Sequence, residues 1–514
     1  MTQERPAEPG DAGMLKTALR GAGSDAARYL PVRFVPALTS LVTVPLFTRV
    51  IDVADYGAFY VINAFLVLGA RIAAESVASA ALRFYWPNKK AGTLDAYLAT
   101  VVWSVVAILG VVAGLILAVG TSLQGVIDPL VARLVPVSAA YFFCNYSLFV
   151  LMEVLRAANR ARDYARISIT ATLLTNALAV VFVGVLGWGS AGIFAGVAVG
   201  SAVVIPWTLT KLRADGSLSP SAARRSTFDE LVAFGAPLVP AGAALWALGF
   251  LDRFVIEASR GTAEVGLYST AYGLGEKIIQ LFTLPLIMTM VPLLIQNYEE
   301  HGQATAGQMQ TQFTRYFALA TVPLLAGLAV VARDFMWVFT GEQYRGAYPV
   351  LGVIAAATLL AGLVQLGSAG LSIHKQSRRI MANTLAATAL DVALTIALVP
   401  RYGYVAAGWA AVAAYVLLAT LTWLQSRRYL PWTLPWAPLL PIAGATAVMS
   451  AAVWGVTLVL PTTVWALLAE GLTGIVVYAV ALLAFGGVRP DERTFVRELS
   501  ASARARLTQR GDPA

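Results

Sequence analysis

The chain is almost without the residues that build soluble catalytic or metal centres. Its 514 residues include one cysteine, Cys144, and two histidines, His301 and His374. One cysteine excludes a disulfide framework or a cysteine-based metal site within the chain. Cys144 lies in an apolar run and reads as a small buried hydrophobe. The histidines are far apart and outside the apolar runs, and no His-Glu-x-x-His pair is present. A GxxxxGK[ST] phosphate loop and a GxSxG nucleophile elbow are also missing. No nucleotide-hydrolysing site, metal or cofactor is therefore implied. Charge is scarce too. Asp, Glu, Lys and Arg make up 13% of the chain, where a soluble domain carries about 25%.

What remains is hydrophobic: 58% of residues are apolar, and the mean hydropathy is +0.71. That composition excludes an ordinary soluble domain and points to an all-α integral membrane protein. The formal net charge is +9. The cations stand between apolar runs, where they set topology, and no basic stretch interleaves with exposed aromatics as nucleic-acid binding would require. Residues 1–28 form a polar tail, read as cytoplasmic, without the pattern of a signal or transit peptide.

A helix needs roughly 20 apolar residues to cross a bilayer. That length finds about fourteen spans: 29–51, 57–84, 94–120, 127–155, 164–186, 190–210, 229–251, 264–295, 313–333, 346–372, 379–400, 404–425, 436–460 and 463–486. The splits at 187–190 and near Pro461 are the weakest, and counts of twelve or thirteen stay open. With the N-terminus inside, twenty-seven of the 37 Lys and Arg fall on the cytoplasmic side, six outside and four within spans. The asymmetry predicts both termini inside. The outward connectors are short, which leaves no room for an extracytoplasmic domain. The expected organisation is an N-lobe at 29–210, a cytoplasmic linker at 211–228 and a C-lobe at 229–425. Two extra helices at 426–486 and a basic cytoplasmic tail at 487–514 follow.

Two internal matches point to a repeat. PLFTRVIDVADYGAFYVINAF (45–65) matches LGFLDRFVIEASRGTAEVGLYSTAYGL (248–274): each ends a span, carries an arginine (Arg49, Arg253), makes a short acidic loop and restarts on Gly-aromatic. The arginines are expected at the outer surface, and the second loop is expected to be about five residues longer. SITATLLTNALAVVFVGVLGWGSAGIFAG (168–196) matches NTLAATALDVALTIALVPRYGYVAAGWAA (383–411), with Asn176 thirteen residues before Gly189 and Asp391 twelve before Gly403. The repeated unit is six helices. An even number keeps both copies in one orientation and places a central cavity between two parallel lobes, with alternating access by rocking.

VTVPLFTRVIDVADYGAFYV (42–61), with Pro45, Thr48, Arg49, Tyr56 and Gly57, resembles the opening of bacterial polysaccharide-biosynthesis flippases. These belong to the multidrug/oligosaccharidyl-lipid/polysaccharide exporter superfamily. VPRYGYVAAGWAA (399–411) resembles a second element of that family through Pro400, Tyr402 and Gly403, but Ala406 and Ala407 replace its usual Gly-Ala. Asp391 stands where the family usually has Asn. The pattern covers about residues 25 to 486. The resemblance implies a membrane transporter rather than an enzyme. It would move an undecaprenyl-diphosphate-linked oligosaccharide between leaflets of the bacterial inner membrane for O-antigen, capsule or exopolysaccharide assembly. Partners implied are that lipid, membrane lipids, and a polysaccharide polymerase or glycosyltransferases, with no nucleic acid.

Ionisable residues inside spans are costly and are the site candidates. Arg33, Arg71 and Lys277 are the candidate diphosphate ligands, since guanidinium offers a fork and ammonium a point charge to phosphate oxygens. Glu75, Glu276 and Asp391 are the candidates for ion coupling. Arg33 and Arg133 lie near enough to a surface to snorkel instead. Glu75 is four residues beyond Arg71, so the two share a helix face and a purely structural pair is the competing reading. Glu470 is a further intramembrane acid. Asn63, Trp246, Tyr268, Tyr272 and Gln280 could meet sugars or could simply pack. The alternatives are a peptidoglycan-precursor lipid flippase, a multidrug/cation antiporter of the same fold, and a membrane glycosyltransferase or ligase. Arg33 disfavours the antiporter, which would want an acid early in the first span. The short outer loops disfavour the transferase.

Overall fold

The computed structural model describes residues 26–489, excluding the side chains of 26–34, Ala37 and Ala241. Most of the two expected tails, and the Arg33 side chain, lie outside the described residues. Every regular element among the described residues is helical. In chain order the helices are α1 Ala26–Val50, α2 Val53–Ile72, α3 Ala74–Lys90, α4 Leu94–Ser122, α5 Pro129–Ala157 and α6 Ala161–Gly184. Next come α7 Ser190–Arg213, α8 Arg225–Gly235, α9 Val239–Arg260, α10 Thr262–Val330, α11 Ala332–Phe339 and α12 Tyr348–Gly367. The last are α13 Ala369–Ile373, α14 Ser377–Tyr402, α15 Tyr404–Ser426, α16 Trp436–Val459 and α17 Val464–Ala484. Short 3-10 turns are not numbered.

Among the described residues, eleven helices are long and apolar enough to cross a membrane, or twelve if a bent pair counts as one. The protein is thus a multi-pass membrane protein, while the expected fourteen spans are not established by this count. The expected span 264–295 and most of 313–333 fall in the 69-residue α10, whose direction is interrupted at Gly302. The expected span 229–251 is not one straight helix. Arg225–Leu238 and Gly242–Arg260 meet at 51°, where Pro237 and Pro240 remove two backbone donors. The helix before the bend, α8, packs on α3 and α4.

Apart from α2, helices α1 to α7 pack mainly on one another, led by α6 with α7 and α5 with α7. Helices α9 to α15 do the same, led by α10 with α12 and α14 with α15. The two groups meet through α2 on α9 and α10, while α3 turns towards α4, α5 and α8. Helices α16 and α17 pair with each other, and α16 lies along α10.

The junctions that begin α2 and α10 correspond, but not as the sequence suggests. The extra residues of the second copy lengthen helix α9 to Arg260 and leave Gly261 alone as the break. They do not lengthen a loop. Asp52 caps α2 by accepting from Ala54 N at 2.9 Å, which places Asp55 in the first turn of that helix. Glu264 occupies the first turn of α10.

Each acid reaches the last helix of its own group. Asp55 accepts Ser190 N at 3.0 Å and pairs with Arg133 at 2.5 Å. Glu264 accepts Tyr404 N at 3.0 Å and pairs with Arg260 at 3.5 Å. Ser190 and Tyr404 follow Gly189 (φ 56°) and Gly403 (φ 72°). The paired glycines predicted by the repeat are therefore the same structural device in both halves.

Candidate functional site

The first cluster forms where α2 breaks at Ala73. Arg71 ends α2 and Glu75 begins α3, and the two pair at 2.6 Å with side chains 34% and 38% exposed. Gly242 of α9 comes close enough that a Cβ there would sit 3.6 Å from Arg71 Cβ. Tyr146 of α5 lies in electrostatic range of both charges. Glu75 engages one guanidinium nitrogen, while Arg71 Nε is buried with no hydrogen-bond partner among the described residues. Half-exposed pairs contribute little to stability, and Arg71 keeps donor capacity for an acidic group.

The second cluster lies among α9, α10, α14 and α15, and reading the sequence missed its centre. Arg253, expected at the outer surface, is 4% exposed, and Asp252 is 6% exposed. Arg253 Nη1 bonds Asp252 at 2.8 Å. Its guanidinium stands 4.6 Å from the Tyr272 ring centre and 4.8 Å from that of Phe250. The Tyr268 hydroxyl donates to the other Asp252 oxygen. Helix α9 runs nearly two turns past Arg253, which carries the charge inside the packed group. The apolar run resuming at Phe254-Val255-Ile256 was the available signal.

Asp391 and Glu276 join this cluster. Asp391 is 3% exposed and lies in electrostatic range of Asp252. Its Oδ1 has no hydrogen-bond partner among the described residues, and neither does Thr395 Oγ1, four residues on. Glu276 accepts from Gln280 at 3.0 Å and lies in electrostatic range of Tyr272, Tyr415 and Arg253. A buried carboxylate atom without a partner is costly unless a proton or cation satisfies it.

Lys277 is half-buried on α10 and makes no hydrogen bond or ion pair with a described residue. It does not pair with its neighbour Glu276. Arg133 has a protein partner, Asp55, so free snorkelling is not its arrangement. Three of the proposed sugar contacts are engaged within the protein. Trp246 Nε1 donates to Ala64 O at 2.7 Å, Tyr268 to Asp252, and Gln280 to Glu276. Among the described residues no group of His, Cys, Asp and Glu is arranged to hold a metal ion.

A family model described as "Polysaccharide biosynthesis protein" matches residues 46–349, more than half of the chain. The teichuronic acid biosynthesis protein TuaB of Bacillus subtilis (strain 168) is 30% identical over 121 residues. That stretch is 22% of this chain and spans only 23% of TuaB. Among solved structures, the lipid II flippase MurJ in an inward closed conformation superposes with a TM-score of 0.72 at 14% identity. The match covers 88% of this chain and 97% of that one. An inward-facing multidrug-resistance MATE transporter of the MOP superfamily gives 0.62 at 14% identity, over 81% and 97% of the two chains. At such identities the likeness is one of fold.

Proposed function

The chain belongs to the family of polysaccharide biosynthesis proteins, and from that premise we propose that it is a flippase, not an enzyme. Its cargo is an undecaprenyl-diphosphate-linked oligosaccharide, moved from the inner to the outer leaflet of a bacterial inner membrane for surface polysaccharide assembly. Both termini are cytoplasmic in this reading. The lobes 29–210 and 229–425, joined by 211–228, rock about a site between them. The cargo is supplied by glycosyltransferases and consumed by a polymerase.

The observation that carries the proposal is Lys277, a cation held half-buried in an apolar helix with no partner among the described residues. An ammonium there is costly unless an anionic cargo compensates it. Arg71, with Nε unpartnered, supplies a guanidinium on the matching helix of the other half, and Arg33 is the third cation proposed to engage the diphosphate. Glu75 tunes Arg71. Asp391 and Glu276, beside Asp252, couple transport to a cation or proton gradient.

The test is flipping of labelled undecaprenyl-diphosphate oligosaccharide by purified protein in proteoliposomes. Charge-assisted hydrogen bonds contribute about 1.5–3 kcal/mol, so Arg71→Ala and Lys277→Ala are each expected to slow flipping about tenfold or more. Wild-type rates in both variants would sink the proposed diphosphate site. Faster transport of a peptidoglycan precursor than of the oligosaccharide lipid would reassign the cargo within the same mechanism.

A further inference from the structure

Five cations gather at one end of α14 and α15: Lys375, Arg378, Arg379, Arg427 and Arg428. None makes an ion pair with a described residue, and between residues 374 and 430 the only acid is Asp391, nearly four turns along α14. Local helix stability does not explain them all. Arg378 and Arg379 stand in the first turn of α14, where the helix dipole favours anions. A purely orienting role needs charge on one side of the membrane but no particular convergence.

Two of these cations do converge. Arg379 from α14 and Arg428 from just beyond α15 line a cavity of about 380 Å³ whose other walls are Leu421, Leu424 and Gln425. The cavity is shaped by specific contacts. The Arg379 guanidinium lies 5.3 Å from the Tyr429 ring centre. A reciprocal amide pair, Asn383 with Gln425 at 3.2 and 2.9 Å, ties α14 to α15 beside it. The neighbouring Arg427 is laid over Trp423 at 4.8 Å. Exposed apolar side chains continue along the same helices, including Met381, Leu385 and Val416.

Two guanidiniums above leucine walls match a phosphate carried on an acyl-chain lipid, the pattern of basic interfacial pockets that hold anionic headgroups. The geometry points to a binding site for an anionic phospholipid in the groove between α14 and α15, with Arg379 and Arg428 on its phosphate and Leu421 and Leu424 on its chain. The site is separate from the proposed transport site and does not depend on which cargo is carried.

The test uses full-length protein in detergent, titrated with phosphatidylglycerol or phosphatidylcholine and read by native mass spectrometry. Wild type is expected to retain phosphatidylglycerol in preference to phosphatidylcholine. With a factor of about five lost for each cation, the Arg379→Ala/Arg428→Ala double variant should retain it about twenty-fivefold less tightly. Arg379→Lys/Arg428→Lys should recover most of the binding, and Arg162→Ala, an exposed arginine elsewhere, should match wild type. An unaltered melting temperature of the double variant separates lost binding from lost folding. Equal retention of both lipids by wild type, or undiminished retention by the double alanine variant, overturns the site. Displacement by millimolar inorganic phosphate would make it a free-phosphate site, and preference for undecaprenyl diphosphate would make it a cargo entrance. Either result overturns the phospholipid assignment.

Discussion

Asp252 and Asp391 are neighbouring buried carboxylates in opposite situations. Asp252 is satisfied on both oxygens, by Arg253 and by the Tyr268 hydroxyl. Asp391 leaves Oδ1 without a partner among the described residues. The same neutralising substitution should therefore act in opposite directions. Asp252→Asn strands the buried Arg253 guanidinium and is expected to cost about 3–5 kcal/mol, seen as a large fall in melting temperature. Asp391→Asn removes a buried carboxyl whose Oδ1 has no partner among the described residues, so the melting temperature should hold or rise. If Asp391 is the coupling group, this variant should still flip cargo but no longer respond to an imposed proton or sodium gradient. A fully gradient-dependent Asp391→Asn protein would remove Asp391 from the coupling role.

At the scale of elements, the recurring unit is an acid in the first turn of one helix bonded to the first backbone N–H of another. Asp55 serves Ser190, and Glu264 serves Tyr404. Both need the glycine before the bonded residue. Gly403, at φ 72° and ψ −170°, has a conformation open essentially to glycine alone, so Gly403→Ala should cost about 1–3 kcal/mol. Gly189→Ala should be at least as harmful, because a Cβ there would lie 2.5 Å from Asp55 Oδ2. Thermal melting of the two variants checks this, and wild-type stability in both would show that the junctions bear no strain. These glycines were legible in the sequence because their spacing from Asn176 and Asp391 repeats to within one residue. Their acid partners were not, since Asp55 and Ser190 stand 135 positions apart and nothing in local pattern links them. The burial of Arg253 was hidden for a similar reason. A charge normally ends a span, and here the packing of α9 against α14, α2 and α10 carries the helix past it. Apolar run length, by contrast, is a local property: each long helix overlaps an expected span, but run length joined α2 and α3 across the break at Ala73, divided α10 in two, and missed the bend at Pro237 and Pro240.

Over the whole molecule, the two helical groups are closed against each other at the end where α2 and α10 begin. A Cβ on Gly57 would lie 1.7 Å from Thr262 O, and one on Gly266 would lie 2.2 Å from Val53 O. Around this contact Arg49 donates to Val338 O at 2.9 Å, Gly341 N to the Thr48 hydroxyl at 3.1 Å, and Tyr344 to Ile51 O at 3.1 Å. Two helix backbones in contact through glycine pack tightly in one arrangement and have no intermediate one, because any side chain at the seam must either be absent or force the helices apart. Such a seam is suited to opening and closing as a unit, as alternating access requires. Gly57→Leu should therefore hold it open without removing any proposed cargo contact. In a Cys144→Ala background carrying Tyr60→Cys beside the seam, the added leucine should speed labelling by a membrane-impermeant maleimide and slow flipping. If labelling stays at the rate of the background protein, the contact between α2 and α10 is not the gate.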